Sequence, residues 1–225
     1  MIEHKIGDFL IKKYTSEECC RENKETNTKV AVIIETRDAY FLPFVIKNFC
    51  HYLGEDWNFH LFVNEKVDKF LKEQLPNFKY KISYISNSRM TPQEYSGILR
   101  QKNFWKQIKE ETILIFQTDT ILLRPIEKWA EEFDMIGAPC GYIKGDKCIF
   151  NGGLSIRKKT AMIDVGLEMH ENIREVRPED VFFTEELWEK GGYKLPSAQT
   201  AFQFASEDTK HNHCIGIHGT NKYYG

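Results

Sequence analysis

From Lys29 onward, short apolar runs alternate with longer segments whose apolar residues recur at helical spacing. Val30-Ala31-Val32-Ile33-Ile34 is a strand expected to be buried on both faces, and the polar run Glu35-Thr36-Arg37-Asp38 stops it. Phe41, Phe44, Val45, Phe49, Tyr52 and Leu53 then follow a helical period up to Gly54. The same alternation predicts a strand from Asn58 to Val63, a helix over 65–75 closed by Pro76, and a strand from Lys79 to Ile85. A helix over 93–109 carrying Tyr95, Ile98, Leu99, Trp105 and Ile108 comes next, and a strand over 112–116 follows it. Strands and helices in this order give an α/β fold with a mixed, mostly parallel sheet flanked by helices.

Beyond Pro125 the pattern loosens. It predicts a short helix near 126–132, a strand at 134–138 and a hairpin around Gly141 and Gly145. Helices are expected at 158–172 and 179–190, the second ended by Gly191-Gly192, with short strands near 193–195, 200–204 and 214–217. Residues 1–28 are polar and charge-mixed around one apolar cluster, Phe9-Leu10-Ile11, and are expected to form an arm and a tether. A single domain over 29–225 is the expected organisation.

Composition narrows the function classes. The 225 residues are 41% hydrophobic, enough to build a substantial core. Lys plus Arg number 31 against 33 Asp plus Glu, so no bulk basic field exists to hold nucleic acid. No run is long and apolar enough to span a bilayer, and no apolar signal core follows Met1. The six cysteines, with Cys19 and Cys20 adjacent and Cys140 and Cys148 outside any C-x-x-C pair, are expected as reduced thiols of a cytoplasmic protein.

The candidate chemistry begins at Ile113-Leu114-Ile115-Phe116-Gln117-Thr118-Asp119-Thr120. A buried parallel strand delivers Asp119 to its C-terminal edge, where open α/β sheets bind ligands. Asp119 is a turn residue or a ligand for a hard divalent cation; the extended look of Thr120 to Pro125 argues against a helix cap.

Three motifs occur in order: Phe116-Gln117-Thr118-Asp119-Thr120, Phe150-Asn151-Gly152-Gly153-Leu154-Ser155-Ile156-Arg157 and Pro178-Glu179-Asp180-Val181-Phe182-Phe183. Together they make residues 29–225 resemble a family of GT-A-fold (Rossmann-like), nucleotide-sugar-dependent glycosyltransferases known from bacteria, fungi and large DNA viruses. The resemblance implies transfer of a sugar from a nucleoside diphosphate, expected to be UDP, to a glycan or other hydroxyl acceptor. It also implies a D-x-D motif holding Mn²⁺ or Mg²⁺. Here Gln117 stands at the first acidic position, leaving Asp119 as the anionic oxygen and the Gln117 amide for ribose or a metal-bound water.

His218, in Ile215-Gly216-Ile217-His218-Gly219-Thr220-Asn221-Lys222, resembles the C-terminal histidine that completes such metal sites; it is otherwise an exposed tail residue. An imidazole ligand favours Mn²⁺ over Mg²⁺. Thr36 and Arg37 are placed by the resemblance at the nucleotide, although Arg37 is equally suited to an ion pair with Asp38 or Glu35. Tyr95 is a candidate to stack on the base, or a core residue by its helical spacing. Lys222 is a candidate to neutralise the diphosphate, or an exposed terminal lysine.

Asn151-Gly152-Gly153 matches the sugar-site element, with two glycines before a strand permitting positive φ; a simple β-turn accounts for the same residues. Asp180, with Glu179 second, sits where the resemblance puts the general base of an inverting displacement, at the start of a helix whose dipole holds carboxylates ionised. Loops around 86–94 and 139–152 are expected to set specificity. The competing readings are a sugar-phosphate nucleotidyltransferase, disfavoured because Glu35-Thr36-Arg37-Asp38 lacks glycine, and a non-catalytic carbohydrate-binding scaffold.

Overall fold

In the computed structural model, residues 3–86, 88–145, 147–169, 175–207 and 213–219 are described. The elements run α1 (Glu3–Tyr14), β1 (Lys29–Glu35), α2 (Leu42–Tyr52), β2 (Trp57–Val63), α3 (Glu65–Gln74) and β3 (Lys81–Tyr84). Then come α4 (Pro92–Arg100), α5 (Lys102–Lys106), β4 (Thr112–Phe116), β5 (Thr120–Leu122), β6 (Met135–Lys144) and β7 (Lys147–Lys158). The chain continues through α6 (Lys159–Val165), α7 (Glu179–Lys190), α8 (Ala198–Phe204), β8 (Ala205–Ser206) and β9 (Gly216–His218).

The main sheet has the order β3-β2-β1-β4-β7-β6. Its first four strands are parallel, and β7 runs antiparallel to both β4 and β6. Every residue of β1, β2 and β4 is buried, which is why β1 and β4 carry continuous apolar runs, while β2 buries Asn58 and His60 among its apolar residues. Because β2 lies on one side of β1 and β4 on the other, a crevice opens between the carboxyl ends of β1 and β4, the place where such sheets take ligands. A second small sheet, β5-β9-β8, brings His218 opposite Thr120.

Several elements differ from expectation. Residues 200–204 are helical, not a strand, because Ser197 caps α8 through its Oγ and Ala201 and Phe204 turn inward one helical turn apart. Residues 193–195 join no ladder; Lys194 exchanges bonds with Asp134 instead. The helix over 93–109 is broken at Gln101, whose backbone is extended and bridges Leu167. The expected helix over 158–172 ends at Val165, and residues 170–174 lie outside the described set.

Asn151-Gly152-Gly153 lies inside β7, not before it. The N-terminal arm carries α1, whose Leu10 and Tyr14 are fully buried. The expected tether is fastened: the Arg21 guanidinium donates to the carbonyls of Cys50, Leu53, Gly54 and Trp57 at the end of α2 and beyond it.

Candidate functional site

The crevice between β1 and β4 is a cleft of about 490 Å³. The sequence candidates Thr36, Arg37, Tyr95, Gln117, Asn151, Gly152, Gly153, Glu179, Asp180 and His218 all line it. Asp119 is not among the lining residues and stands beside them, its Oδ1 3.6 Å from His218 Nε2. Lys222 lies outside the described residues.

On the β1 side, Arg37 is engaged by Glu35. Its Nε and Nη2 donate to the Glu35 carboxylate at 3.0 and 2.8 Å, so the ion-pair alternative describes its contacts. Nη2 also donates to Thr118 Oγ at 3.0 Å, so Arg37 ties the end of β1 to the Gln117-Thr118-Asp119 turn. Thr36 Oγ accepts the Met90 N–H, which ties Met90 to the end of β1 at the cleft, and the Thr36 carbonyl accepts the Asn64 amide.

The β7 side shows what the two glycines are for. Neither has positive φ; the positive-φ glycines among the described residues are Gly145, Gly191, Gly192 and Gly219. A Cβ on Gly152 would instead overlap the Glu179 carboxylate, and one on Gly153 would overlap the His218 ring. The glycines therefore admit the close approach of Glu179 from α7 and His218 from β9, a correction of the turn-based expectation.

Glu179 and Asp180 differ sharply despite being neighbours. Glu179 is buried, and both its oxygens accept from the fully buried Arg157 at 2.6 and 3.1 Å. Burial pushes its carboxyl up from the ordinary value, against the pull of the guanidinium, and so overrides the dipole-based expectation. Arg157 also donates to Ser155 Oγ and lies 5.7 Å from the ring centroids of Trp105 and Phe183. Asp180 faces the cleft, its Oδ1 on the Val181 N–H at 2.8 Å and its Oδ2 3.4 Å from the Gly152 N–H. The Tyr95 hydroxyl is buried in the same wall with Gln117 as its polar neighbour, and burial with the nearby Glu179 charge pushes the phenol up against the pull of Gln117.

His218 is the hub of the remaining wall. Its Nε2 lies 3.2 Å from Gln117 Oε1 and 3.6 Å from Asp119 Oδ1, and its Nδ1 lies 3.6 Å from Glu207 Oε1. Adjacent ligands of an octahedral ion with bonds of ~2.1 Å stand about 3 Å apart, so Gln117, Asp119 and His218 suit a divalent cation whose shell is completed by substrate oxygens and water. No group of three or more His, Cys, Asp or Glu side chains that could hold a metal occurs among the described residues, so a cation here would draw on the Gln117 amide oxygen beside Asp119 and His218.

Arg89 was not legible as a candidate. It is exposed, lines the cleft and an adjoining hollow of about 800 Å³, and has no hydrogen-bond or ion-pair partner among the described residues. Its position in the 86–94 loop is the one signal the sequence carried.

No curated protein matches the chain. Among solved structures, the mannosyltransferase PcManGT from Pyrobaculum calidifontis, in complex with GDP-Man and Mn²⁺, is similar over 86% of this chain with a TM-score of 0.50 and 10% identity. The chain spans 61% of that protein's length. The glycosyltransferase GlyE of Streptococcus pneumoniae TIGR4 aligns with 79% of this chain and 43% of its own, at 13% identity and a TM-score of 0.40. The fold is thus GT-A-like, a mixed and mostly parallel sheet flanked by helices. The family model described as "Protein of unknown function (DUF5672)" matches residues 79–219, from the approach to β3 through β9, and the chain belongs to that family.

Proposed function

We propose that this protein is a glycosyltransferase that moves a sugar from a nucleoside diphosphate to a hydroxyl acceptor. The observation that carries the reading is convergence: residues from β1, α4, the β4 turn, β7, α7 and β9, far apart in sequence, meet in one cleft at the point where the strand order reverses. UDP is the nucleotide expected from the sequence, and the GDP-Man bound by PcManGT makes GDP the second to test.

In this reading Asp180 accepts the acceptor hydroxyl's proton. It is the carboxylate of the α7 start whose oxygens are not consumed by Arg157, and an inverting displacement asks for one base opposite the leaving group. Asn151 contributes an amide to the sugar hydroxyls, with its Oδ1 already taking the Gly153 N–H at 2.7 Å. The Tyr95 hydroxyl, which makes no well-formed hydrogen bond among the described residues and has Gln117 beside it, offers a further hydrogen bond to the donor. Asp119, Gln117 and His218 would hold Mn²⁺ or Mg²⁺, which when bound supplies Lewis-acid stabilisation of the departing diphosphate. Arg37 is committed to Glu35, so the diphosphate's charge falls to Arg89.

Calorimetric titration with UDP and GDP, with and without Mn²⁺, tests the reading before any acceptor is known. At least one nucleotide is expected to bind, more tightly with Mn²⁺, and the Asp119→Asn variant is expected to lose the metal's contribution. Absence of binding under every condition would leave a non-catalytic scaffold of the same fold. Replacing Arg89 with Ala is expected to weaken nucleotide binding roughly 10-fold or more, the scale of a lost charge-assisted hydrogen bond, while UDP binding unchanged in that variant would remove Arg89 from the site.

A further inference from the structure

Outside the cleft, the N-terminal segment meets α2 through a pair of cysteines. The Sγ atoms of Cys19 and Cys50, 31 residues apart in sequence, lie 2.8 Å from each other. All six cysteines are free thiols. Cys19 is buried and Cys50 partly so, whereas Cys20, next in sequence, is exposed. The two sulfurs are held in place by the surrounding bonds: Arg21, two residues from Cys19, donates to the Cys50 carbonyl at 3.0 Å, and Lys47, one turn before Cys50, donates to the Tyr14 carbonyl.

We propose that Cys19 and Cys50 are a covalent modification site, joined by a reversible intramolecular disulfide when the protein meets a peroxide. The sulfurs need close only by roughly 0.8 Å to reach the ~2.0 Å of the bond, a shift that small rotations about the two cysteine side chains can supply. The Cys19 thiolate attacks one peroxide oxygen, the O–O bond breaks, and the released hydroxide takes a proton to become water. Cys19 is then a sulfenic acid. The Cys50 sulfur attacks the Cys19 sulfur, the S–O bond breaks, and the oxygen leaves as a second water with the thiol's proton. Two thiols give up two electrons, and one peroxide becomes two waters.

The direction of attack follows from the surroundings. The neighbouring Cys50 thiol draws the Cys19 thiol below its ordinary value against the effect of burial, with Arg21 and Lys47 adding to it, while burial pushes the Cys50 thiol up.

The test uses the full chain carrying Cys20→Ser, so that each digestion fragment has one assignable thiol in this region. After treatment with hydrogen peroxide and alkylation with N-ethylmaleimide, unreduced digests are read by mass spectrometry. The expected product is a Cys19–Cys50 linked peptide pair, two hydrogens lighter than its free components and lost on treatment with dithiothreitol. A thermal midpoint about 5–10 °C above that of the reduced protein should accompany it and be absent in a Cys50→Ser variant. Alkylation of both thiols after peroxide, or a bond from Cys50 to any other cysteine, overturns the proposal.

Discussion

Replacing Asp180 with Asn is expected to lower turnover by roughly 10²–10⁴-fold while leaving nucleotide binding within about twofold, the pattern of a lost proton acceptor. The substitution is nearly isosteric. Its amide oxygen can still take the Val181 N–H that Asp180 Oδ1 accepts at 2.8 Å, so the first turn of α7 should keep its shape. What it loses is the negative charge and the lone pair that accept a proton from the acceptor hydroxyl. The measurement is steady-state release of the nucleotide product with an acceptor identified by donor screening, alongside calorimetric binding of the same nucleotide. Turnover at the parental rate would exclude Asp180 as the base, and because Glu179 is engaged by Arg157 it would also remove the inverting mechanism from this end of α7.

The second large effect is on stability. Glu179→Ala leaves the fully buried Arg157 without its carboxylate, and an uncompensated buried charge typically costs about 3–5 kcal/mol. Arg157 would retain the Ser155 hydroxyl and the Trp105 and Phe183 rings, none of which carries a negative charge. The double variant Arg157→Met, Glu179→Leu removes both charges and is expected to recover much of that loss, since two apolar side chains of similar volume need no partner. Urea unfolding of Arg157→Met, of Glu179→Leu and of the double variant closes the cycle. A double variant as unstable as the sum of the singles would mean that the pair does not act as a unit.

The parts of the fold legible in the sequence are those where local pattern and tertiary environment agree. β1 and β4 are buried along their whole length, and their continuous apolar runs are too short for independent helices. The start of α7 was written in Pro178-Glu179-Asp180, although the pair of acids concealed two roles, and nothing local distinguishes a carboxylate bound for a buried arginine from one bound for a cleft. The glycines of β7 misled for a related reason. Gly152 and Gly153 look like turn punctuation, yet they answer to Glu179 and His218, whose side chains arrive from distant elements. Ala198 to Phe204 has too few residues for periodicity to separate helix from strand, and the deciding Ser197 cap is a single side-chain bond. Arg89 carried no pattern because a cation without a partner among the described residues leaves no trace in its neighbours.

His218 reaches Gln117 across 101 residues, carried by a three-residue strand that pairs with β5 and β8. Contacts of such long sequence separation carry the largest loop-closure cost and so tend to form late. The walls contributed by β1, β4 and β7 belong to the main sheet and do not need β9 for their ladder. During synthesis, then, a chain can be folded for most of its mass and still lack the imidazole beside Asp119. On the proposed reading, a chain folded without β9 would lack the histidine assigned to the metal, so the order of these two steps would set when the cleft can bind its ligand.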